Sequence, residues 1–166
     1  MRFLALSSLT SLAIVAAVSA CSSGGTTNTI PNAPTLNVAP LGTQATPFQF
    51  NVSGVFIGTS GFANIVATNI GEMDLTVSTV TYTGDSAITL SPGLFLSTNP
   101  DVPATPPITV PYSDSLVVAL TCTPVQHTPE VAETYNGVVE IKSNASNTPD
   151  VSAYFQCMGV VFDAGT

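Results

Sequence analysis

Short runs of apolar, β-branched and aromatic residues recur along the chain beyond Gly58, separated by clusters of Gly, Pro, Asn and Asp. This pattern is typical of β-strands with one buried face. It predicts strands at residues 62–69, 75–83, 87–90, 115–123, 136–143 and 151–158, after one or two leading strands between residues 36 and 58. No helical period follows the first 20 residues. The prolines of residues 99–107 cannot donate ladder hydrogen bonds, so this segment is predicted to be a surface loop.

Strands of this length at close spacing, without strand–helix–strand units, predict an all-β fold, an antiparallel β-sandwich of about seven to nine strands. The alternation of side chains along each strand predicts which residues face the core. At the exit of the strand over residues 62–69, Asn69 is predicted to bond nearby backbone and Gly71 to adopt a positive φ. The predicted core faces are Leu116, Val118, Leu120 and Cys122; Tyr135, Gly137, Val139 and Ile141; and Val151, Ala153, Phe155 and Cys157.

The first 20 residues differ, with one early cation, Arg2, an apolar run over residues 3–18, and the small residues Ser19 and Ala20 before Cys21. The run is shorter than the roughly 20 residues that cross a bilayer as a helix, and small residues before a cleavage site are what a signal peptidase requires. The segment resembles the bacterial lipobox. The resemblance implies a cleaved signal peptide at residues 1–20 and lipidation of Cys21, with a diacylglyceryl group on sulfur and an acyl chain such as palmitate on the freed amine.

Lipidation of Cys21 implies a simple domain organisation. Residues 21–35, rich in Ser, Gly, Thr and Asn, are expected to form a flexible tether, and residues 36–166 the β-sandwich. Two or three acyl chains hold a protein stably on a membrane without a transmembrane helix. Ser22 stands where an aspartate signals inner-membrane retention, so the resemblance implies the outer membrane, at its periplasmic face or at the cell surface. The alternatives are an ordinary secretory signal, with Cys21 a spectator thiol, and a transmembrane anchor, which the short run disfavours.

The mature chain is strongly acidic. All ten acids follow Cys21 and Arg2 leaves with the signal, so one cation, Lys142, against ten acids gives a net charge of −9. Nucleic-acid binding needs clustered Lys or Arg residues, and the chain has none, so no nucleic-acid partner is expected. The same absence leaves the lipid as the only expected attachment to the membrane.

Several motifs lie between residues 50 and 159: Val66-Ala67-Thr68-Asn69-Ile70-Gly71, Leu75-Thr76-Val77, Val118-Ala119-Leu120-Thr121-Cys122-Thr123-Pro124, Tyr135-Asn136-Gly137-Val138-Val139-Glu140-Ile141-Lys142-Ser143-Asn144 and Cys157-Met158-Gly159. Together they resemble the abnormal-spindle/hydin-like immunoglobulin-type domain, in the bacterial version called the choice-of-anchor D domain. The resemblance implies an immunoglobulin-like sandwich that serves in interaction or scaffolding, with no shared catalytic residues. The chain departs from the family in a Pro-rich insertion after Leu96 and in cysteines at two inward positions.

Two cysteines remain once Cys21 is committed to lipid. Cys122 and Cys157 are both predicted to face inward near strand ends, and an even pair in an oxidising compartment predicts a disulfide between them. The alternative is two separate buried thiols. A zinc or haem site is disfavoured because neither cysteine has a second Cys or His at short ligand spacing.

The sequence offers little for catalysis. His127, the one histidine, stands in a Pro-bounded loop without a nucleophile motif nearby. Two pairs of loop acids, Glu72 with Asp74 and Asp85 with Asp101, are possible glycosidase carboxylates or calcium ligands. Isolated loop acids more often solvate a surface, so no catalytic, metal-binding or cofactor-binding residue is predicted.

The expected function is therefore a non-catalytic, lipid-anchored binding or scaffolding module of the cell envelope. It is expected to present its loops to a protein or glycan partner in the envelope or outside the cell. The variable surfaces are expected at the loop of residues 97–111 and at the loop around His127, which lack strand patterns. One alternative is carbohydrate binding at Tyr154, whose parity is opposite to that of Phe155 and which is therefore expected to face outward. Another is a structural subunit that assembles through an exposed sheet edge or through residues 48–57. The oligomeric state is not predicted.

Overall fold

The computed structural model describes residues 29–50, 53–125 and 132–161. Within these ranges the regular secondary structure consists of strands, which form two sheets. The strands are β1 (Leu36–Ala39), β2 (Phe48–Gln49), β3 (Val55–Phe56), β4 (Gly61–Asn69), β5 (Leu75–Gly84), β6 (Ile88–Leu96), β7 (Ile108–Val110), β8 (Ser115–Cys122), β9 (Glu133–Ser143) and β10 (Asp150–Val160).

The two sheets face each other as an immunoglobulin-like sandwich, which confirms the predicted all-β fold. Sheet A has the strand order β1-β4-β8-β6 and is antiparallel throughout. Sheet B has the order β2-β10-β9-β5-β7, and β3 also pairs with β10. The two short strands β2 and β3 run parallel to β10, whereas the other pairs of sheet B are antiparallel.

Three parts of the prediction differ from the structure. Three leading strands, β1, β2 and β3, replace the one or two predicted, so the described residues form ten strands and not about seven to nine. The predicted strand over residues 87–90 continues to Leu96, because a register shift between Leu90 and Leu94 accommodates Pro92 in an edge strand. The loop of residues 97–111 contains a further strand, β7, which pairs with the start of β5. With only three residues between prolines, β7 is too short for a pattern to reveal it.

The core lies between the sheets and agrees with the predicted parity. Of the twelve inward residues, only Gly137 and Val151 are half-exposed. Phe155 is the largest fully buried side chain and packs against the rings of Phe48, Phe50 and Tyr82. A Cβ atom at Gly137 would lie 2.6 Å from the Tyr82 ring and 2.8 Å from the Phe155 ring, so glycine there makes room for this cluster.

The sandwich has two ends, and the segment before β1 contacts one of them. The tether end is where β1 begins and β4 and β9 end; the far end is where β8 and β10 end. Residues 31–35, expected in the tether, are hydrogen-bonded to the tether end: Glu72 N donates to Pro31 O at 3.0 Å and Ser146 N to Pro34 O at 2.8 Å. Residues 31–35 are thus in contact with the sandwich.

Candidate functional site

Cys122 and Cys157 form a disulfide with a Cα–Cα distance of 6.5 Å. Cys122 ends β8 of sheet A and Cys157 lies in β10 of sheet B, so the bond joins the two sheets near the far end. Both residues are fully buried, in agreement with their inward parity. Cys21 and His127, for which lipidation and a loop position were predicted, lie outside the described residues.

The loop of residues 97–111 lies at the tether end, because Leu96 at the end of β6 pairs with Leu116 near the start of β8. Val125, the last described residue before the loop of His127, lies beyond the opposite end of β8. The described residues that flank the two expected binding loops are therefore at opposite ends of the sandwich. These two loops do not start from one common surface.

Asp114 holds the base of the Pro-rich loop. Its carboxylate accepts hydrogen bonds from the Ser97 and Thr98 hydroxyls, both at 2.6 Å, and from Ser115 N at 2.7 Å. Burial by itself raises the pKa of Asp114, but these donors outweigh it and the net pKa lies below the usual value. The carboxylate is therefore ionised near neutral pH, and it holds the loop by accepting these hydrogen bonds.

Asn69 and Gly71 occupy the strand exit as predicted, but only Asn69 acts as expected. The fully buried Asn69 amide donates to Val110 O at 3.0 Å and Met73 O at 2.9 Å, and accepts from Gly71 N at 3.1 Å. Gly71 is not among the positive-φ residues. A Cβ atom there would collide with Ala33 O, so close approach of the entering chain, and not its φ, requires glycine.

The outer side of sheet A is uncharged. None of its four strands contains Asp, Glu, Lys or Arg, although the chain has ten acids. We call this surface the neutral face. An apolar stripe crosses all four strands in register, since Ala39 pairs with Val66, Val66 with Val117, and Val117 with Phe95. Neighbouring side chains leave Val117 only 8% exposed although it points outward.

Phe62 stands on the same face toward the far end, opposite Thr121. It is 70% exposed, the largest exposed fraction among the large apolar side chains of the described residues. A phenylalanine in water beside an uncharged, partly apolar surface is the arrangement found at protein-binding surfaces.

The neutral face was not predicted from the sequence, although one signal was present. Residues 116–120 are uninterrupted apolar residues, whereas a strand with one solvated face alternates. Such a run indicates a strand covered on both sides, here by the interior on one side and by neighbouring side chains on the other.

The outer side of sheet B is polar and carries the charges of Glu140, Lys142 and Asp150. Tyr154 is half-buried on this side, while its neighbour Phe155 is fully buried, so the predicted outward parity of Tyr154 is confirmed. A groove of about 370 Å³ adjoins Tyr154. Its lining residues are Gln44, Pro47, Thr83, Gly84, Asn136, Gly137, Val138, Tyr154 and Phe155.

The predicted acids Asp85 and Asp101 do not come together, because Asp85 follows the end of β5 at the far end and Asp101 lies in the loop at the tether end. The Asp85 carboxylate is bound near the start of β9, where it accepts a hydrogen bond from Asn136 N at 2.6 Å. The Tyr82 hydroxyl donates to Asp85 O, and burial, with the Asp85 charge, raises the pKa of Tyr82 to about 12. Within residues 29–50, 53–125 and 132–161 there is no group of three or more His, Cys, Asp or Glu side chains placed to hold a metal. In the same ranges no helix has the length and apolarity to cross a bilayer.

No protein-family model matches the chain, and no curated protein matches it. Among solved structures it is similar to the ASH/PapD-like domain 7 of human CEP192, with a TM-score of 0.45, 10% identity, and coverage of 99% of this chain and 100% of that domain. It is also similar to part of the secreted serine protease VesC from Vibrio cholerae, with a TM-score of 0.38, 17% identity, and coverage of 68% of this chain and 22% of that protease.

Proposed function

We propose that this protein is a lipid-anchored, non-catalytic binding or scaffolding module of the bacterial outer membrane, and that its neutral face binds a protein partner. The anchor is inferred from the lipobox-like sequence before Cys21, and the scaffolding role from motifs that resemble the abnormal-spindle/hydin-like domain. The observation that carries the proposal is the neutral face itself, with Phe62 exposed on it.

The charge distribution supports a protein partner on this face. The acids of the described residues lie in turns and loops or on β9 and β10, so a partner that covers sheet A desolvates no charged strand residue. Burial of an unpaired charge costs far more than burial of an apolar or hydroxyl side chain, so an uncharged patch is the surface on which contact is least opposed. Phe62 would supply the apolar anchor that interfaces place near their centre.

The entry of the chain supports an orientation. Residues 31–35 are bonded to the tether end, so a domain held through Cys21 would turn that end toward the membrane. The Pro-rich loop of residues 97–111 would then face the lipid, and Phe62 would stand toward the far end. The neutral face is therefore a better candidate for partner binding than the Pro-rich loop.

Site-specific photo-crosslinking in intact cells tests the partner surface. A photoreactive phenylalanine analogue at position 62 should give a discrete adduct with one protein, and the same analogue at the exposed Thr81 position of sheet B should not. Val66→Asp places a charge in the apolar stripe and should abolish the adduct at position 62. No adduct at position 62, or equal adducts at both positions, would refute binding through the neutral face.

Fractionation tests the anchor separately. We expect Cys21→Ala to move the protein from the membrane to the soluble fraction, since no other attachment is predicted. Unchanged membrane retention would refute the lipoprotein hypothesis. Protease treatment of intact cells then distinguishes the two faces of the outer membrane, because only a surface-exposed native protein is digested.

A further inference from the structure

The geometry points to a binding site for an uncharged saccharide in the groove of sheet B, formed by the Tyr154 ring and by the side chains of Gln44, Thr83 and Asn136. This site lies on the other side of the sandwich from the neutral face, and the inference does not rest on the proposed protein partner.

A row of residues in register forms the floor of the groove. Tyr154 of β10 pairs with Val138 of β9, which pairs with Thr83 of β5. Two inter-strand spacings make this row roughly 10 Å wide, a span suited to one or two sugar rings. Tyr154 supplies an aromatic surface, and Val138 an apolar one, for the C–H groups of a sugar.

A ladder of side-chain amides crosses the same face and orients Asn136. Gln49 Nε2 donates to Gln156 Oε1 at 2.9 Å, and Gln156 Nε2 donates to Asn136 Oδ1 at 3.0 Å. Because Asn136 Oδ1 is an acceptor in this ladder, its Nδ2 group is left as a donor. Nδ2 makes no hydrogen bond to any described residue, and Asn136 lines the groove. The ladder thus fixes one donor before a ligand arrives.

The remaining polar groups of the groove complete a mixed set. The side chains of Gln44, Thr83 and Tyr154 make no hydrogen bond to the residues that the structure describes. Together they offer amide donors and acceptors and hydroxyl groups, which match the hydroxyls of a saccharide better than a purely apolar ligand.

The rim of the groove is held firmly. Tyr154 N donates to Gly42 O at 3.1 Å, and Thr43 and Thr46 bond each other across a tight turn. A Cβ atom at Gly42 would collide with Tyr154 O, so glycine permits this contact between the loop and β10. Gln44 is therefore carried by a loop with a defined position beside Tyr154.

Charge selects the class of saccharide. No lining residue is charged, so the groove has no partner for an ionised ligand group. The chain has ten acids and two basic residues, one of them Arg2 of the N-terminal segment, and this excess repels acidic glycans. An uncharged saccharide is the ligand that these features accept.

Titration calorimetry of the purified full-length protein tests the site. The probes are hexamers of β1,4-glucan, β1,3-glucan, α1,4-glucan and mannan, with a galacturonic acid hexamer as the acidic comparison. At least one neutral hexamer should bind, and the acidic one should not. Tyr154→Ala should weaken binding about tenfold and Asn136→Ala about three- to tenfold, while Tyr154→Phe keeps the ring and most of the affinity.

Thr81→Ala is the matched control, since Thr81 is exposed on the same sheet but does not line the groove. It should leave the affinity unchanged, and circular dichroism should show that all variants are folded. The inference is overturned if no neutral hexamer binds at millimolar concentration, if Tyr154→Ala binds like the native protein, or if the acidic hexamer is preferred. Saturation of the groove by an uncharged Ser/Thr peptide, without saccharide binding, would also overturn it and assign the groove to a protein ligand.

Discussion

The two ends of the sandwich are closed by different chemistry. Near the far end a covalent bond, Cys122–Cys157, joins sheet A to sheet B. At the tether end hydrogen bonds from side-chain amides do so: Asn69 of sheet A reaches Val110 of sheet B, and Asn147, in the turn between β9 and β10, accepts from Leu36 N at 3.0 Å and donates to Leu36 O at 2.8 Å.

The type of closure affects how much surface is left free at each end. A disulfide closes an end with two small buried residues, so the surrounding surface is free to vary. Closure by side-chain amides requires many polar groups in fixed positions. At the tether end these groups and the backbone groups that they contact occupy the surface. Under the proposed function, the far end, with Phe62 toward it, would serve binding and the tether end would serve attachment.

The largest expected effect is loss of the covalent closure. Cys122→Ala with Cys157→Ala should lower the free energy of unfolding by about 4 kcal/mol, because the disulfide closes a loop with a sequence separation of 35 and restricts the unfolded chain. Urea unfolding of the double variant, compared with the native protein with and without reductant, measures this. A loss below about 1 kcal/mol would mean that the two ends do not differ in the way described.

Loss of the amide closure should have the next largest effect. Asn69→Ala leaves the buried Gly71 N and Val110 O without their partner and should lower the free energy of unfolding by about 3 kcal/mol. Asn64→Ala, at an exposed position of the same strand, is the control and should change it by less than about 0.5 kcal/mol. Equal effects of the two substitutions would contradict the role given to Asn69.

The smallest expected effect is on the pH dependence of stability, through the Asp114 carboxylate at the tether end. The pKa of Asp114 is lower in the folded than in the unfolded chain, so its contribution is complete above about pH 4 and is lost as the pH falls through the folded value. Asp114→Asn should therefore lose about 1–2 kcal/mol at pH 7 and show a shallower fall in stability below pH 4 than the native protein.

Urea unfolding at a series of pH values between 7 and 2 measures this dependence. Asp74→Asn, which removes an exposed carboxylate at the same end, is the matched control. If Asp114→Asn follows the native pH dependence, the donors around Asp114 do not stabilise its ionised form.

Local patterns were sufficient for the longer strands and their inward faces, although not for β7 or for the full length of β6. Alternation identified Leu116, Phe155 and Cys157 as core residues because the direction of a side chain in a strand follows from its position alone. Asn69 was predicted to bond nearby backbone, and it does. The reason given for Gly71 was wrong, because the segment that approaches it comes from residues 33–35, and no local pattern reveals that approach.

The candidate sites were less predictable. Tyr154 was correctly placed outside, but its partners Gln44 and Asn136 are far away in sequence and meet it only through strand order. Phe62 was predicted only to lie in a strand, because its exposure depends on which residues cover the outer side of sheet A. The loops of residues 97–111 and of His127 were grouped because both lack strand patterns, although their described flanking residues lie at opposite ends.

The sequence by itself determined the all-β class, the main strands, their buried faces and the cysteine pair, because these depend on alternation within short segments and on a count of two inward thiols. Only the tertiary structure decided which surfaces exist: the neutral face, the groove beside Tyr154 and the different closures of the two ends. Each of these depends on which strands are neighbours and in what register, and in this fold the neighbours are mostly far apart along the chain.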